Sequence, residues 1–172
     1  DNTSGFLTYG PLAGPGEGSI DDIGLSVTLE HTWVGDLNIH LYYDVDRDGT
    51  YDHGPVLALC RPLLGDPTCS WEGCCGCSGD LAGTYAFGDD AEIPLGEPEC
   101  DSAFPPGCYL PAPVSERFGD TFLGLHAGGD WYLEISDSAS GDQTHLISWG
   151  VHLCTGTTAT ESTSFTAIKS VY

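Results

Sequence analysis

An antiparallel β-sandwich is the fold this sequence predicts, and three observations predict it. Apolar residues recur at every second position in several short stretches, notably Leu25, Val27 and Leu29, then Leu37, Ile39 and Leu41. Glycine and proline, 24 and 11 of 172 residues, interrupt the chain often enough to keep such stretches short. No segment longer than a turn or two carries a helical period in the body of the chain. Many short strands without helices must bury their apolar faces against one another, sheet on sheet.

In chain order, residues 1–19 (DNTSGFLTYGPLAGPGEGS) hold five glycines and two prolines around an apolar patch at Phe6, Leu7 and Tyr9. This composition reads as an N-terminal extension that docks on the body rather than joining the repeating sheet. Leu25 to Leu29 and Leu37 to Leu41 are strands separated by a turn at Gly35-Asp36. Val56 to Leu59 is the returning strand of a hairpin whose turn is the acidic loop Asp44 to Asp52. Residues 60–108 hold seven of the eight cysteines with scattered Gly and Pro, a loop-rich region whose order depends on crosslinks. Trp131, Leu133 and Ile135, then Leu146, Ser148, Gly150 and His152, alternate as two further strands around a polar turn at Ser138 to Asp142. A Ser/Thr-rich linker, residues 155–164, leads to an apolar tail, residues 165–172. That tail reads equally as a strand or as a short helical face through Phe165, Ile168 and Tyr172.

Charge narrows the partners. Four Lys and Arg against 26 Asp and Glu give a net charge of −22, which argues against nucleic acid and anionic membrane, since both require clustered cations. Cations are the natural counterparts. No apolar run approaches the roughly 18 residues of a membrane span. Methionine is absent, as expected of a processed mature form or a fragment. An even count of eight cysteines, Cys60, Cys69, Cys74, Cys75, Cys77, Cys100, Cys108 and Cys154, points to disulfides in an oxidising compartment, hence a secreted, extracellular or cell-surface protein.

The sharpest chemical motif is Asp44-Val-Asp46-Arg-Asp48-Gly49-Thr50-Tyr-Asp52. Carboxylates at positions 1, 3 and 5, glycine at 6 and Asp at 9 follow the first part of a calcium loop, because Ca²⁺ takes six to eight oxygens and the glycine lets the chain wrap. Asp44, Asp46, Asp48, Thr50 and Asp52 are accordingly the expected calcium ligands. Position 12, which calls for a bidentate Glu, is Pro55, and the flanks read as strands, so this is not an EF-hand. The competing reading is a solvated acidic turn. Cys74-Cys75-Gly76-Cys77 matches C-x-x-C, but Ser78 follows instead of His, and zinc usually takes a second paired motif, so disulfides are favoured there. Neither a Gly-x-Ser-x-Gly elbow nor a His-Glu-x-x-His helix is present and the six histidines are dispersed, so no enzyme is expected. Asn2-Thr-Ser4 is a glycosylation sequon. Among the four tryptophans Trp71, set amid loops and cysteines, is the candidate for exposure and sugar stacking.

Two stretches carry a family resemblance. Ile20 to Asp36 (IDDIGLSVTLEHTWVGD) places His31 and Trp33 ahead of Gly-Asp-Leu, and Gly129 to Trp149 (GDWYLEISDSASGDQTHLISW) holds Trp-x-Leu-x-Ile-x-Asp followed by Gly-Asp and Trp. Together they resemble the P domain of subtilisin-like proprotein convertases, bacterial type, over about residues 20–154. The resemblance implies a jelly-roll-like, non-catalytic sandwich, with His31 structural and Trp33, Trp131 and Trp149 in the core. It also implies a second candidate cation set among Asp36, Asp89, Asp90, Asp130, Asp137 and Asp142, each of which reads alternatively as a turn or capping carboxylate. It favours Cys77 with Cys100 as one disulfide, leaving 15 pairings for the other six cysteines. The implied module has no protease of its own among these residues. Its extensions lead to the expectation of a calcium-binding structural subunit that joins copies of itself, as in a filament or surface layer, through Phe165, Ile168, Val171 and Tyr172. An accessory domain of a larger protease and a carbohydrate-binding module are the alternatives.

Overall fold

The computed structural model describes residues 5–60, 78–93, 103–111, 117–137, 144–156 and 162–170. The chain is all-β. Its strands are β1 (Gly5–Ala13), β2 (Ser19–His31), β3 (Leu37–Asp44), β4 (His53–Cys60), β5 (Leu81–Gly88), β6 (Gly107–Tyr109), β7 (Asp130–Asp137), β8 (His145–Gly156) and β9 (Ser162–Ser170). A four-stranded sheet runs β1-β7-β3-β4 and a five-stranded sheet runs β6-β5-β2-β8-β9. Among the described residues these strands pair antiparallel except β5 with β6. A 3-10 turn, Val34–Asp36, joins β2 to β3, and one short helix, α1 (Phe118–Phe122), covers an end of the core with Phe118 and Phe122.

The predicted alternation is the device that closes the sandwich. Leu25, Val27 and Leu29 of β2 and Leu37, Ile39, Leu41 and Tyr43 of β3 all point inward, with Trp131, Leu133 and Ile135 of β7 between the sheets. Each such side chain contributes about 1.5–3 kcal/mol through lost contact with water. The β3–β4 hairpin is as expected, with Leu41 opposite Val56 and Ile39 opposite Leu59.

Five expectations need correction. The N-terminal extension is not a separate docking segment, because residues 5–13 form the edge strand β1, paired with β7 from Gly5 opposite Asp137 to Ala13 opposite Asp130. The tail is a strand, and β9 extends back to Ser162 while β8 runs on to Gly156, so both ends of the expected linker are sheet; residues 157–161 lie outside the described residues. The cysteine-rich region contains a full strand, β5, that buries Leu81, Tyr85 and Phe87; its alternation is masked by Gly83 and two alanines. The link from β7 to β8 is not a hairpin turn, since these strands belong to different sheets. Finally, β8 changes phase. Leu146 is buried, but from Trp149 onward Val151 and Leu153 face the core and His152 faces outward, because Ile147 is an extra residue on β8, with Leu29 opposite Leu146 and Thr28 opposite Ser148.

Candidate cation-binding site

Beneath the acidic loop lies an aromatic base. Tyr43 stacks on Trp131 with ring centroids 4.1 Å apart, and Phe122 meets Trp131 edge-on at 5.1 Å. The Tyr43 hydroxyl accepts the Gly129 amide at 2.7 Å and donates to the His126 carbonyl oxygen. This clamp fixes the end of β3, so that the next residue, Asp44, sits fully buried where the chain leaves the sheet.

Asp44 organises the loop. One carboxylate oxygen accepts the amides of Arg47 at 2.7 Å and Asp48 at 3.2 Å, and the other accepts that of Gly49 at 2.8 Å. The wrap needs left-handed backbone at Arg47 (φ 64°) and Gly49 (φ 88°), a conformation glycine adopts freely and arginine does not. Smaller turns follow, with Asp46 accepting the Asp48 amide at 3.2 Å and Asp48 accepting the Thr50 amide at 2.7 Å. Asp52 turns back to accept the amide of Val45 at 2.8 Å and closes the loop.

Three of the five expected ligands converge. Carboxylate oxygens of Asp44, Asp46 and Asp48 lie within 4.8 Å of one another, a spread that suits an ion with oxygen ligands at about 2.3–2.6 Å. A carboxylate has about four lone-pair positions, so the amide bonds leave acceptor capacity on each. Lost solvent, and then the like charges of Asp48, Asp52 and Asp44, hold the Asp46 carboxyl above the usual carboxylate value, opposed by the Asp48 amide. A dication relieves that repulsion. Asp52 is not among the three converging carboxylates and its Oδ2 accepts the Val45 amide, while Thr50 is exposed. The three carboxylates could hold a divalent cation that takes oxygen ligands, with water completing the shell.

The second candidate set does not assemble: among the described residues no group of three ligand atoms is drawn from it. Asp89 instead caps α1, accepting the amides of Phe118 at 3.1 Å and Gly119 at 2.7 Å. Asp130 pairs with Arg47 at 3.2 Å. Asp36 lies in the 3-10 turn, Asp90 borders a surface trough, and Asp137 ends β7 opposite Leu37; Asp142 lies outside the described residues.

No disulfide joins the described residues. Cys108 and Cys154 are free thiols, on β6 and β8, three strand steps or about 14 Å apart, which is too far to bridge each other. The expected crosslinks at Cys69, Cys74, Cys75, Cys77 and Cys100, including the Cys77–Cys100 pair, lie outside the described residues, as does the side chain of Cys60.

His31 is structural in its contacts: it is buried, with Nε2 2.9 Å from the Trp33 carbonyl oxygen and Nδ1 3.0 Å from the Thr144 hydroxyl. Trp131 and Trp149 are core residues, but Trp33 is 43 % exposed, against expectation, because its segment leaves β2 for the 3-10 turn. Trp71 and the Asn2 sequon lie outside the described residues.

Two features escaped the sequence reading. Tyr42, Tyr51 and Tyr132 form a chain of rings, with centroids 4.7 and 5.0 Å apart, on the outer face beside the acidic loop. Asp22, His152 and Cys154 bring together a second group of three ligand atoms. Only strand register reveals either, since their members are scattered through the sequence. No family model, curated protein or solved structure matches this chain.

Proposed function

We propose that this chain is a non-catalytic, secreted structural module, stabilised by calcium at the Asp44 loop, that joins copies of itself through its terminal strands into an extracellular filament or surface layer. The observation that carries the reading is the position of the two ends. β1 and β9 are each one of the two edge strands of their sheet, β4 and β6 being the others, and Lys169 Nζ on β9 donates to the Gly10 carbonyl oxygen on β1 at 3.5 Å, so these two edges lie on one side of the sandwich.

Edge strands present unpaired backbone amides and carbonyls, which accept a further strand from a neighbour. Phe6 and Leu7 on β1 and Ile168 on β9 are 70, 57 and 67 % exposed, supplying apolar contact area beside those edges. Of the other three expected assembly residues, Phe165 stands opposite Leu153 in the β8–β9 register, and its side chain, like Val171 and Tyr172, lies outside the described residues. A contact using different surfaces on the two partners propagates into a filament when its rotation does not close a ring. The likeness of residues 20–154 to P domains supports the non-catalytic part of the reading.

The test is electron microscopy with size-exclusion chromatography, in calcium and in chelator. Ordered fibres or large particles are expected with calcium, and a chain lacking residues 157–172 should remain small while keeping its β-sheet circular dichroism. Monodisperse monomer in every condition, or assembly unchanged by the deletion, overturns the proposal. A second reading, carbohydrate binding, is favoured by the tyrosine chain, where Tyr51 is 42 % exposed and the Tyr42 hydroxyl is 3.4 Å from Glu134. Glycan-array binding that disappears in Tyr51→Ala supports it, and an array blank for the native chain removes it.

A further inference from the structure

The outer face of the five-stranded sheet carries a second constellation, chemically unlike the acidic loop. The β2–β8 register sets Asp22 opposite Cys154 and Gly24 opposite His152. Residues 152 and 154 share a face, and that face is outward because Val151 and Leu153 are buried. A carboxylate, an imidazole and a thiol therefore meet on neighbouring strands, their ligand atoms within 4.8 Å of one another.

We infer that Asp22, His152 and Cys154 form a binding site for a borderline-soft divalent cation of the zinc class, independent of the calcium loop. The geometry within the site suits such an ion. His152 Nε2 and Cys154 Sγ are 3.8 Å apart. Tetrahedral zinc, with bonds of about 2.3 Å to sulfur and 2.0–2.1 Å to nitrogen, sets these atoms about 3.6 Å apart. The imidazole is also oriented from behind: His152 Nδ1 is 2.9 Å from the Thr166 hydroxyl on β9. With Nδ1–H donating to that oxygen, Nε2 keeps its lone pair for the metal, the arrangement that a hydrogen-bond partner behind a ligating histidine normally enforces. On binding, the ion takes the place of the thiol proton, which passes to solvent. Water fills the remaining position. The donor set selects against calcium and magnesium, which take oxygen ligands, and the net charge of −22 raises the local concentration of any dication.

The site is also a clip. Its ligands span β2 and β8, and its supporting hydroxyl belongs to β9, so metal binding and docking of the C-terminal strand reinforce each other.

Cobalt(II) is the probe, used on the full chain with its thiols unmodified, while a separate sample is alkylated under non-reducing conditions for mass spectrometry. Cys154 is expected to be alkylated, and cobalt to give a thiolate-to-metal charge-transfer band that zinc displaces and calcium does not. Cys154→Ser should remove the band, and His152→Gln and Asp22→Asn should each weaken binding at least about tenfold. Thr166→Val, which keeps the strand and removes only the supporting hydroxyl, should weaken it by about tenfold. Cys108→Ser should leave it unchanged. A Cys154 locked in a disulfide, no band in the native chain, or a band that survives Cys154→Ser or vanishes in Cys108→Ser each overturns the inference. Since Asp22 and His152 are exposed and Cys154 half-buried, circular dichroism should show every variant folded.

Discussion

Replacing Asp44 with alanine is expected to cost about 3–5 kcal/mol of folding stability even without calcium, and to abolish any stabilisation by calcium. The carboxylate is fully buried and accepts three backbone amides. Removing it breaks three amide-to-carboxylate bonds in a loop whose backbone is already held left-handed at Arg47; hydrogen bonds to a charged group contribute about 1.5–3 kcal/mol each, of which water recovers a part because Arg47, Asp48 and Gly49 are exposed. Asp44→Asn is the graded control. It retains one acceptor oxygen but sets an NH₂ donor in place of the other, so a loss nearer 1–2 kcal/mol is expected. Calcium adds a separate increment, about 2.7 kcal/mol at a hundredfold excess over the dissociation constant, which both variants should lack along with Asp46→Asn. Urea melts in calcium and in chelator check all of this. Identical native midpoints in the two conditions would leave Asp44 a structural residue in an ordinary turn and remove calcium from the function.

The same loop shows how far sequence carries such an argument. The meeting of three of its carboxylates was legible, because spacing within one hairpin turn fixes which of them approach; Asp44, Asp46 and Asp48 converge as their positions require. The bond by which Asp52 Oδ2 accepts the Val45 amide was not legible, because a turn carboxylate has several neighbouring backbone amides to choose from. The strands with strict alternation, β2, β3 and β7, were legible for the same local reason. β5 was not, since Gly83 and two alanines carry little apolar signal and its place in the core comes from pairing with β2. The phase change in β8 comes from its own extra residue, Ile147, which shows only in the pairing with β2. β1, and β9 where its side chains are described, at residues 166–169, have side chains exposed on both faces, so no alternation marks them. Asp22 and His152 are 130 positions apart by number, and nothing short of the register places them together.

Gly150→Ala is expected to release β9 while leaving the rest of the sandwich folded. Gly150 is buried on β8 opposite Ile168, and a β-carbon there would run into the Ala167 carbonyl oxygen and stand 3.0 Å from its carbon. The obstacle is backbone, so no rotamer relieves it and one strand must move. β8 is held by Trp149, Val151 and Leu153, all buried, and by pairing with β2 along its length. β9 is an edge with pairing on one side and with Thr166, Ile168 and Lys169 exposed. The strand with less to lose gives way. Hydrogen exchange should therefore show collapsed protection over residues 162–170 with β2 and β3 unchanged, since local opening draws on the weakest cooperative unit. Two consequences follow from one methyl group: the cobalt affinity of the Asp22, His152 and Cys154 site should fall as Thr166 departs, and assembly through the C-terminal edge should fail. Unchanged protection in β9 would mean that β8 bulges to absorb the methyl, and the tail would then be a firmer part of the sheet than its exposure implies.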